Sequence, residues 1–435
     1  MTAAGPFTRA RITRTMQPTT TRVRAGYALG SLVTGAFGTV PGLLLLPYLT
    51  DSLAVPAAVA GALVLVPKAW DVLFNPVAGR ISDRVGARRP FLLGGGAATA
   101  ALFAALFAGV GDGWGAAAYV AAVFLLCATA YAFFQVPYVA MAAEITDDYH
   151  ERTRLLAWRV AVLALAILVS GAGAPAVRDL VGGADGYRVM GVAVGALILV
   201  GTLASVVGTR GAPVRRDPAA PSARDFLVAL RVRAFRRLLA VFSVQAVGLG
   251  AMLAGVDYFA RLVLGDRSAQ TALFAAFVGP ALLVMPLWQR VGRRVGKRTG
   301  LVVASALFAV AAAGLGAAGV LPGAAVVAVM AVAGVGYAGM QVFPMAMLPD
   351  VISSVDGRRA GLFSGVWTAG ETLGLALGPG AYGVVLAVGG YAASTSGDVT
   401  QTSGAVLAAL VGFTALPALL VVLPLPLLPR EETPR

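Results

Sequence analysis

Twelve stretches of mostly apolar residues, each about twenty or more long, run through the chain and are separated by short polar segments. A helix rises about 1.5 Å per residue and the hydrocarbon core of a bilayer is about 30 Å thick, so each stretch is long enough to cross a membrane as a helix. The stretches lie near 27–49, 57–80, 89–110, 115–142, 156–177, 188–208, 237–259, 269–288, 300–319, 323–346, 360–388 and 404–428. The longest polar interruption, 209–236, falls at the midpoint and reads as a cytoplasmic linker between a six-helix unit over 27–208 and another over 237–428, with polar tails at 1–26 and 429–435. A short repeat supports the division. Gly79-Arg80-Ile81-Ser82-Asp83-Arg84-Val85-Gly86-Ala87-Arg88-Arg89 closes the second stretch, and Val291-Gly292-Arg293-Arg294-Val295-Gly296-Lys297-Arg298 closes the eighth, the second of its own unit.

Composition excludes a soluble globule. With 58% hydrophobic and 12% charged residues and a mean hydropathy of +0.83, the chain has too few polar side chains to cover its own surface, so lipid must be its main solvent. The 54 glycines sit largely inside the apolar stretches, where small residues let helix backbones approach closely. The net charge of +14 would suggest nucleic acid in a soluble protein, but the arginines fall in short clusters between apolar stretches, facing the anionic inner leaflet rather than forming one polar face. With the N-terminus in the cytoplasm, about 28 Lys and Arg lie inside against about 4 outside, which places both termini in the cytoplasm of a multi-pass plasma-membrane protein. No short apolar stretch with a small-residue cleavage site follows the arginine-rich start, so residues 1–25 read as a mature cytosolic tail.

Catalytic chemistry has little to stand on. The single cysteine, Cys127, permits no intrachain disulfide or multi-cysteine metal site, the single histidine, His150, lies in a polar loop, and no nucleophile-base-acid pattern emerges. The expectation is a protein that is not an enzyme, takes no cofactor beyond a coupling H⁺ or Na⁺, works as a monomer, and has a small-molecule solute and lipid as partners.

The loop Gly79 to Arg89 has the form G-x-x-x-D-R-x-G-x-R-R, which resembles the signature of the major facilitator superfamily. Asp83 can cap or pair at a helix end, Gly86 permits a tight turn, and Arg84 and Arg88 suit helix C-termini and lipid phosphates. In the resembled superfamily this loop latches one conformational state, which makes Gly79, Asp83, Arg84, Gly86 and Arg88 a conformational latch. Further segments are similar to the glycoside-pentoside-hexuronide:cation symporters, the melibiose permease group. They are Lys68-Ala69-Trp70-Asp71 through Asn75-Pro76, Gln135-Val136-Pro137-Tyr138 through Glu144, Glu151 to Arg159, Phe343-Pro344 through Asp350, and Gly361 to Thr368. The resemblance implies an all-α membrane protein of the major facilitator fold: two six-helix bundles, each of inverted three-helix repeats, around a central solute site.

Ionisable groups at membrane depth cost about 2.5–3.5 kcal/mol or more unless paired or hydrated, so each is a functional candidate. Lys68 and Asp71, three residues apart, share a helical face, where they either neutralise each other or border a wet cavity. The resemblance gives Asp71 to a coupling-cation site and makes Asn75 and Gln135 its neighbours, although the family carries acids at both of those positions. Gly35 and Thr372 likewise stand where the family has a sugar-contacting acid and a lysine, while Glu371 adds a carboxylate beside Thr372. A proton site at Glu371 or Asp71 is the expectation that follows. Arg159 matches a cavity-facing arginine of the family and, always charged, suits an anionic or hydroxyl-rich solute; its static alternative is a pair with Asp71 or Glu144. Lys68, Trp70, Tyr131, Gln245, Trp367 and Thr372 complete the expected substrate cavity, with packing as the plain alternative for the two tryptophans and a helix-to-helix tie as the alternative for Gln245 and Tyr131. Asp257 and Arg261, near the outer end of the seventh stretch and within reach of water, are candidates for an external gate. The function expected is cation-coupled symport of a sugar-like or other polar solute by alternating access; the alternative is a proton-driven exporter or facilitator of an amphipathic compound.

Overall fold

The computed structural model describes residues 20–85, 87–146, 148–212, 229–353, 360–395 and 399–428. Twelve of its helices are long and apolar enough to cross a membrane. In chain order they are α1 (Thr21–Asp51), α2 (Ala57–Val85), α3 (Arg88–Leu106), α4 (Gly113–Ala142), α5 (Glu151–Val181), α6 (Asp185–Gly208), α7 (Arg233–Val263), α8 (Ala269–Val295), α9 (Lys297–Ala317), α10 (Gly323–Ile352), α11 (Phe363–Val388) and α12 (Ser403–Leu427). An even number of spans returns the chain to the side on which it starts, so one side of the molecule carries residue 20 and residue 428. That side is called the terminal side here and the opposite one the distal side.

Several helices run beyond the apolar stretches that announce them. The second stretch ends near residue 80, yet α2 continues through Asp83 and Arg84 to Val85, and α5 runs from Glu151 to Val181 rather than over 156–177. Hydropathy marks the thickness of the hydrocarbon, whereas the backbone goes on hydrogen-bonding into the headgroup layer, where charged side chains are at no disadvantage. Prolines lie inside many of the helices, among them Pro41 and Pro47 in α1 and Pro280 and Pro286 in α8. Such positions are tolerated where neighbouring helices cover the freed carbonyl.

The two halves repeat one packing plan. α1 packs on α5, α2 on α4, α3 on α4 and on α6; in the second half α7 packs on α11, α8 on α10, α9 on α10 and on α12. The halves meet through α2 with α11, α5 with α8, and α1 with α7, the pattern expected of a pseudo-twofold axis. Large apolar side chains such as Leu180, Leu283, Val310 and Trp114 point outward and are more than two-thirds exposed. A soluble protein would hide these groups; acyl chains and, for Trp114 at the start of α4, the interfacial layer accommodate them. The protein is a multi-pass membrane protein.

Candidate transport site

In the first half, polar side chains from four helices converge. Lys68, Asp71 and Asn75 are spaced by three and four residues, so they share one face of α2. Asp71 is only 8% exposed, and both its Oδ1 and the Oδ1 of Asn75 are buried without a hydrogen-bond partner. The Lys68 ammonium does not close an ion pair with Asp71 inside 4.0 Å; it rests over the Phe37 ring, 4.7 Å from the centroid. The mutual neutralisation that their spacing allows therefore does not take the form of a direct contact.

Around this face, Thr34 Oγ1 donates to Gln135 Oε1 at 2.9 Å. Tyr138 donates to the Tyr27 carbonyl at 2.7 Å and shares a 3.0 Å hydrogen bond with Ser31, whose hydroxyl also reaches the Arg159 carbonyl at 3.1 Å. These bonds fix α1, α4 and α5 to one another beside the guanidinium of Arg159, which sits 5.4 Å from the Tyr138 ring with its Nε buried and unpartnered. Arg159 pairs with neither static partner. Glu144 is instead taken by Arg88, and Asp71 keeps its free oxygen.

In the second half a hollow opens between α7, α10 and α11, lined by Phe242, Gln245, Tyr337, Gln341 and Glu371 among others. Gln341 donates to the Tyr337 hydroxyl at 2.8 Å, while half-buried Glu371 has no ion pair or hydrogen bond among the described residues. Two carboxylates and two cations, Asp71, Glu371, Lys68 and Arg159, thus lie within membrane-spanning helices without closing direct ion pairs. Such groups stay charged there only beside water or a polar ligand.

Other expected cavity residues are placed differently. Trp70, about a third exposed, stacks on Phe74 and donates to Thr129 at 3.0 Å, tying α2 to α4 on a flank away from the Asp71 face. Trp367 is 2% exposed and stacks on Phe242 at 4.4 Å, a core residue. Tyr131 is likewise buried, stacked on Phe37 at 4.1 Å. Gln245 borders the hollow, but its amide donates to Ser305 at 3.0 Å and to the Val421 carbonyl at 3.1 Å, so it joins α7 to α9 and α12. Each is a bulky or bifunctional side chain whose partner comes from a distant stretch, and no local pattern distinguishes such packing from cavity lining. Thr372 is half-buried one position beyond Glu371 and outside the lining of the hollow.

At the terminal side, Arg88 is the first residue of α3 and is 8% exposed. Its guanidinium donates to Glu144 at 2.9 and 2.7 Å and to Ser82 at 2.8 Å, and it pairs with Asp83 at 2.6 Å. Gly79 supplies the carbonyl that Ser82 bonds, Arg84 is exposed, and Gly86 lies outside the described residues. The second half reproduces the arrangement. Lys297, the first residue of α9, meets Asp350 near the end of α10 at 2.5 Å. At the distal side, Asp257 does not reach water: it is fully buried and, with Arg261, belongs to a network that includes Asp51, Arg178, Gln270 and Tyr391. Sequence reading missed these last four because a charged or polar side chain at the end of an apolar stretch looks like an ordinary interfacial residue.

Residues 26–430 match the major facilitator family described as MFS/sugar transport protein. The chain belongs to that family. Among relatives, the symporter sll1374 of Synechocystis sp. is 25% identical, over 81% of this chain and 83% of its own length. The inner membrane symporter YicJ of Escherichia coli (strain K12) is 24% identical over 91% of this chain and 88% of its own. The crystal structure of a mutant of the nucleoside transporter NupG superposes with a TM-score of 0.70 at 12% identity, covering 93% of this chain and 98% of that one, which establishes the shared fold. Membership of this transporter family, the fold and the twelve spans make the chain a membrane transporter of the major facilitator type.

Proposed function

We propose that this transporter moves a small sugar-like or other polar organic solute by alternating access, coupled to a cation, and imports it across the plasma membrane. The observation that carries the reading is the set of charges without direct ion pairs inside membrane-spanning helices of both halves: Lys68, Asp71 and Arg159 in one, Glu371 in the other. Arg159 and Lys68 would engage hydroxyl or acid oxygens of the solute. Asp71 and Asn75 offer two buried oxygen acceptors one helical turn apart, and Glu371 a third on the opposite half. Since Asn75 and Gln135 contribute no charge, a proton suits this donor set better than Na⁺, which favours several oxygens and more than one negative charge. The terminal side, with most of the 34 Lys and Arg, faces the cytoplasm, and the latch group Asp83, Arg84 and Arg88 acts there when the opposite side is open.

The test is uptake into proteoliposomes with imposed pH or Na⁺ gradients and a panel of sugars, sugar acids and amphipathic compounds. Proton-driven uptake of a polar solute is expected, with Asp71→Asn and Glu371→Gln each lowering gradient-driven accumulation. Intact accumulation in the double variant would refute the coupling assignment. The apolar part of the second-half hollow, Phe242, Leu249, Met340 and Leu375, favours the alternative, export of an amphipathic compound, and the same panel decides between them.

A further inference from the structure

We infer that a buried, charged clasp at the distal ends of the two halves is the gate that closes that side, with Arg261 as the residue that fastens it. The inference rests on the alternating-access reading above but concerns residues that reading does not use. Arg261 donates through Nε to Asp257 at 2.8 Å on its own helix and through Nη2 to Asp51 at 2.5 Å on the opposite half. Asp257 also receives Arg178, from α5 of the first half, at 2.7 Å. The Arg178 guanidinium continues to Gln270 of α8 at 2.9 Å. Asp51 in turn accepts from Tyr391 of the second half at 2.5 Å, and Thr50 shares a 2.7 Å hydrogen bond with Tyr258. The chain Tyr391, Asp51, Arg261, Asp257, Arg178, Gln270 therefore passes between the halves repeatedly. Arg261 owes its place to one turn of π-helix, Phe259–Val263, at the end of α7, a local irregularity of the kind often found at functional positions.

Burial makes the clasp depend on all its members. Asp257 is wholly inaccessible, Arg178 is 2% exposed and Asp51 4%, so every charge relies on a partner rather than on water. The backbone closes over it: Ser394, in the loop after α11, donates to the Thr50 carbonyl at 2.8 Å and accepts from Ala54 at 3.0 Å. Ala54 adopts a φ of 52°, uncommon for a residue with a side chain, at this join. Beneath the clasp the helices touch through small residues. A Cβ on Gly383 of α11 would stand 2.5 Å from the Ala57 carbonyl of α2, and one on Gly61 would stand 2.8 Å from the Pro379 carbonyl. The ion pairs Arg24 with Glu151, Arg88 with Glu144 and Lys297 with Asp350, all at the terminal side, each stay within one half instead.

Parting the halves does not cost every member equally. Arg178 keeps Asp179, its neighbour in sequence, at 2.7 Å, and Arg261 keeps Asp257 one helical turn away. Asp257 gives up Arg178 but keeps Arg261, whereas Asp51 is left with no arginine, and on its own side it keeps the 3.0 Å hydrogen bond from Thr50. Water entering the opened side can hydrate that one carboxylate. The clasp is thus firm while dry and separable once wet, as a gate must be.

The test needs no transported solute, so it can succeed or fail independently of the reading above. Spin labels at two exposed distal positions, Val110→Cys in the first half and Val320→Cys in the second, report the separation of the halves by pulsed dipolar spectroscopy, with Cys127 replaced by Ala. Asp51→Asn is expected to raise the population of the longer distance by at least about tenfold, the shift that about 1.4 kcal/mol produces. Thr50→Val, measured in parallel, removes only a hydroxyl and gives a smaller shift in the same direction, so a poorly folding Asp51→Asn does not leave the question open. A disulfide between Ala54→Cys and Ser394→Cys, whose backbones already touch, should abolish the longer distance until it is reduced. An unchanged distance distribution in the folded Asp51→Asn and Thr50→Val variants overturns the gate.

Discussion

Arg88 and Lys297 occupy the same place in the two halves, at the first position of α3 and of α9, and each meets a carboxylate near the end of the following helix. Their surroundings differ, and removing them should therefore cost different amounts. Arg88 and Glu144 have side chains 9% and 4% exposed, and Arg88 also holds Ser82 and Asp83. Truncating Arg88 to Ala leaves the Glu144 carboxylate buried without its cation, a loss of about 3–5 kcal/mol for a buried pair, with the lower end expected so near the headgroups. Lys297 and Asp350 have side chains 41% and 62% exposed, and Lys297→Ala should cost about 0–1 kcal/mol because water screens the pair and replaces the lost contact. The measurement is reversible unfolding by SDS in mixed micelles, followed by tryptophan fluorescence. A cycle with Glu144→Gln should return much of the Arg88→Ala loss, since the neutral amide no longer needs a cation. Equal losses in the two halves, or no recovery in the cycle, would refute the claim that burial sets the strength of these ties.

Other expectations follow from where side chains sit. Gln245→Leu removes two interhelical hydrogen bonds and should cost about 1 kcal/mol of stability by the same unfolding assay, while leaving the apparent KM for the solute unchanged. Trp367→Ala empties a tight core position against Phe242 and should destabilise by about 3–5 kcal/mol, while Trp367→Phe should be mild; a selective loss of solute affinity in Trp367→Phe would return this residue to the cavity. Gly383→Val pushes a side chain against the Ala57 carbonyl and should hold the distal side ajar, read as faster alkylation of a cysteine placed at Thr50. Arg159→Lys keeps the charge but loses the planar fork, so initial uptake rates at low solute concentration should fall at least about tenfold while the protein stays folded.

Twelve spans, a membrane location and a division into like halves are legible in the chain because they depend on averages. Twenty apolar residues carry the same message wherever their neighbours lie, since lipid responds to the hydropathy of a segment and the backbone satisfies itself within each helix. The motif around Asp83 and Arg88 is legible for a related reason: its members are close in sequence, and these two meet where α2 ends and α3 begins. The coplacement of Lys68, Asp71 and Asn75 on one face of α2 also follows from spacing alone. By contrast, nothing local tells Trp367 in the core from a tryptophan lining a cavity, or Gln245 as a tie from Gln245 as a ligand contact. Those roles are set, for Gln245, by residues 60 and 176 positions away. The same holds for the clasp, where Asp51 and Arg261 lie 210 positions apart. Whether a charge in a membrane protein is costly, idle or functional depends on which partner or water reaches it, and that is a property of how the helices assemble rather than of the stretch of sequence that carries the charge.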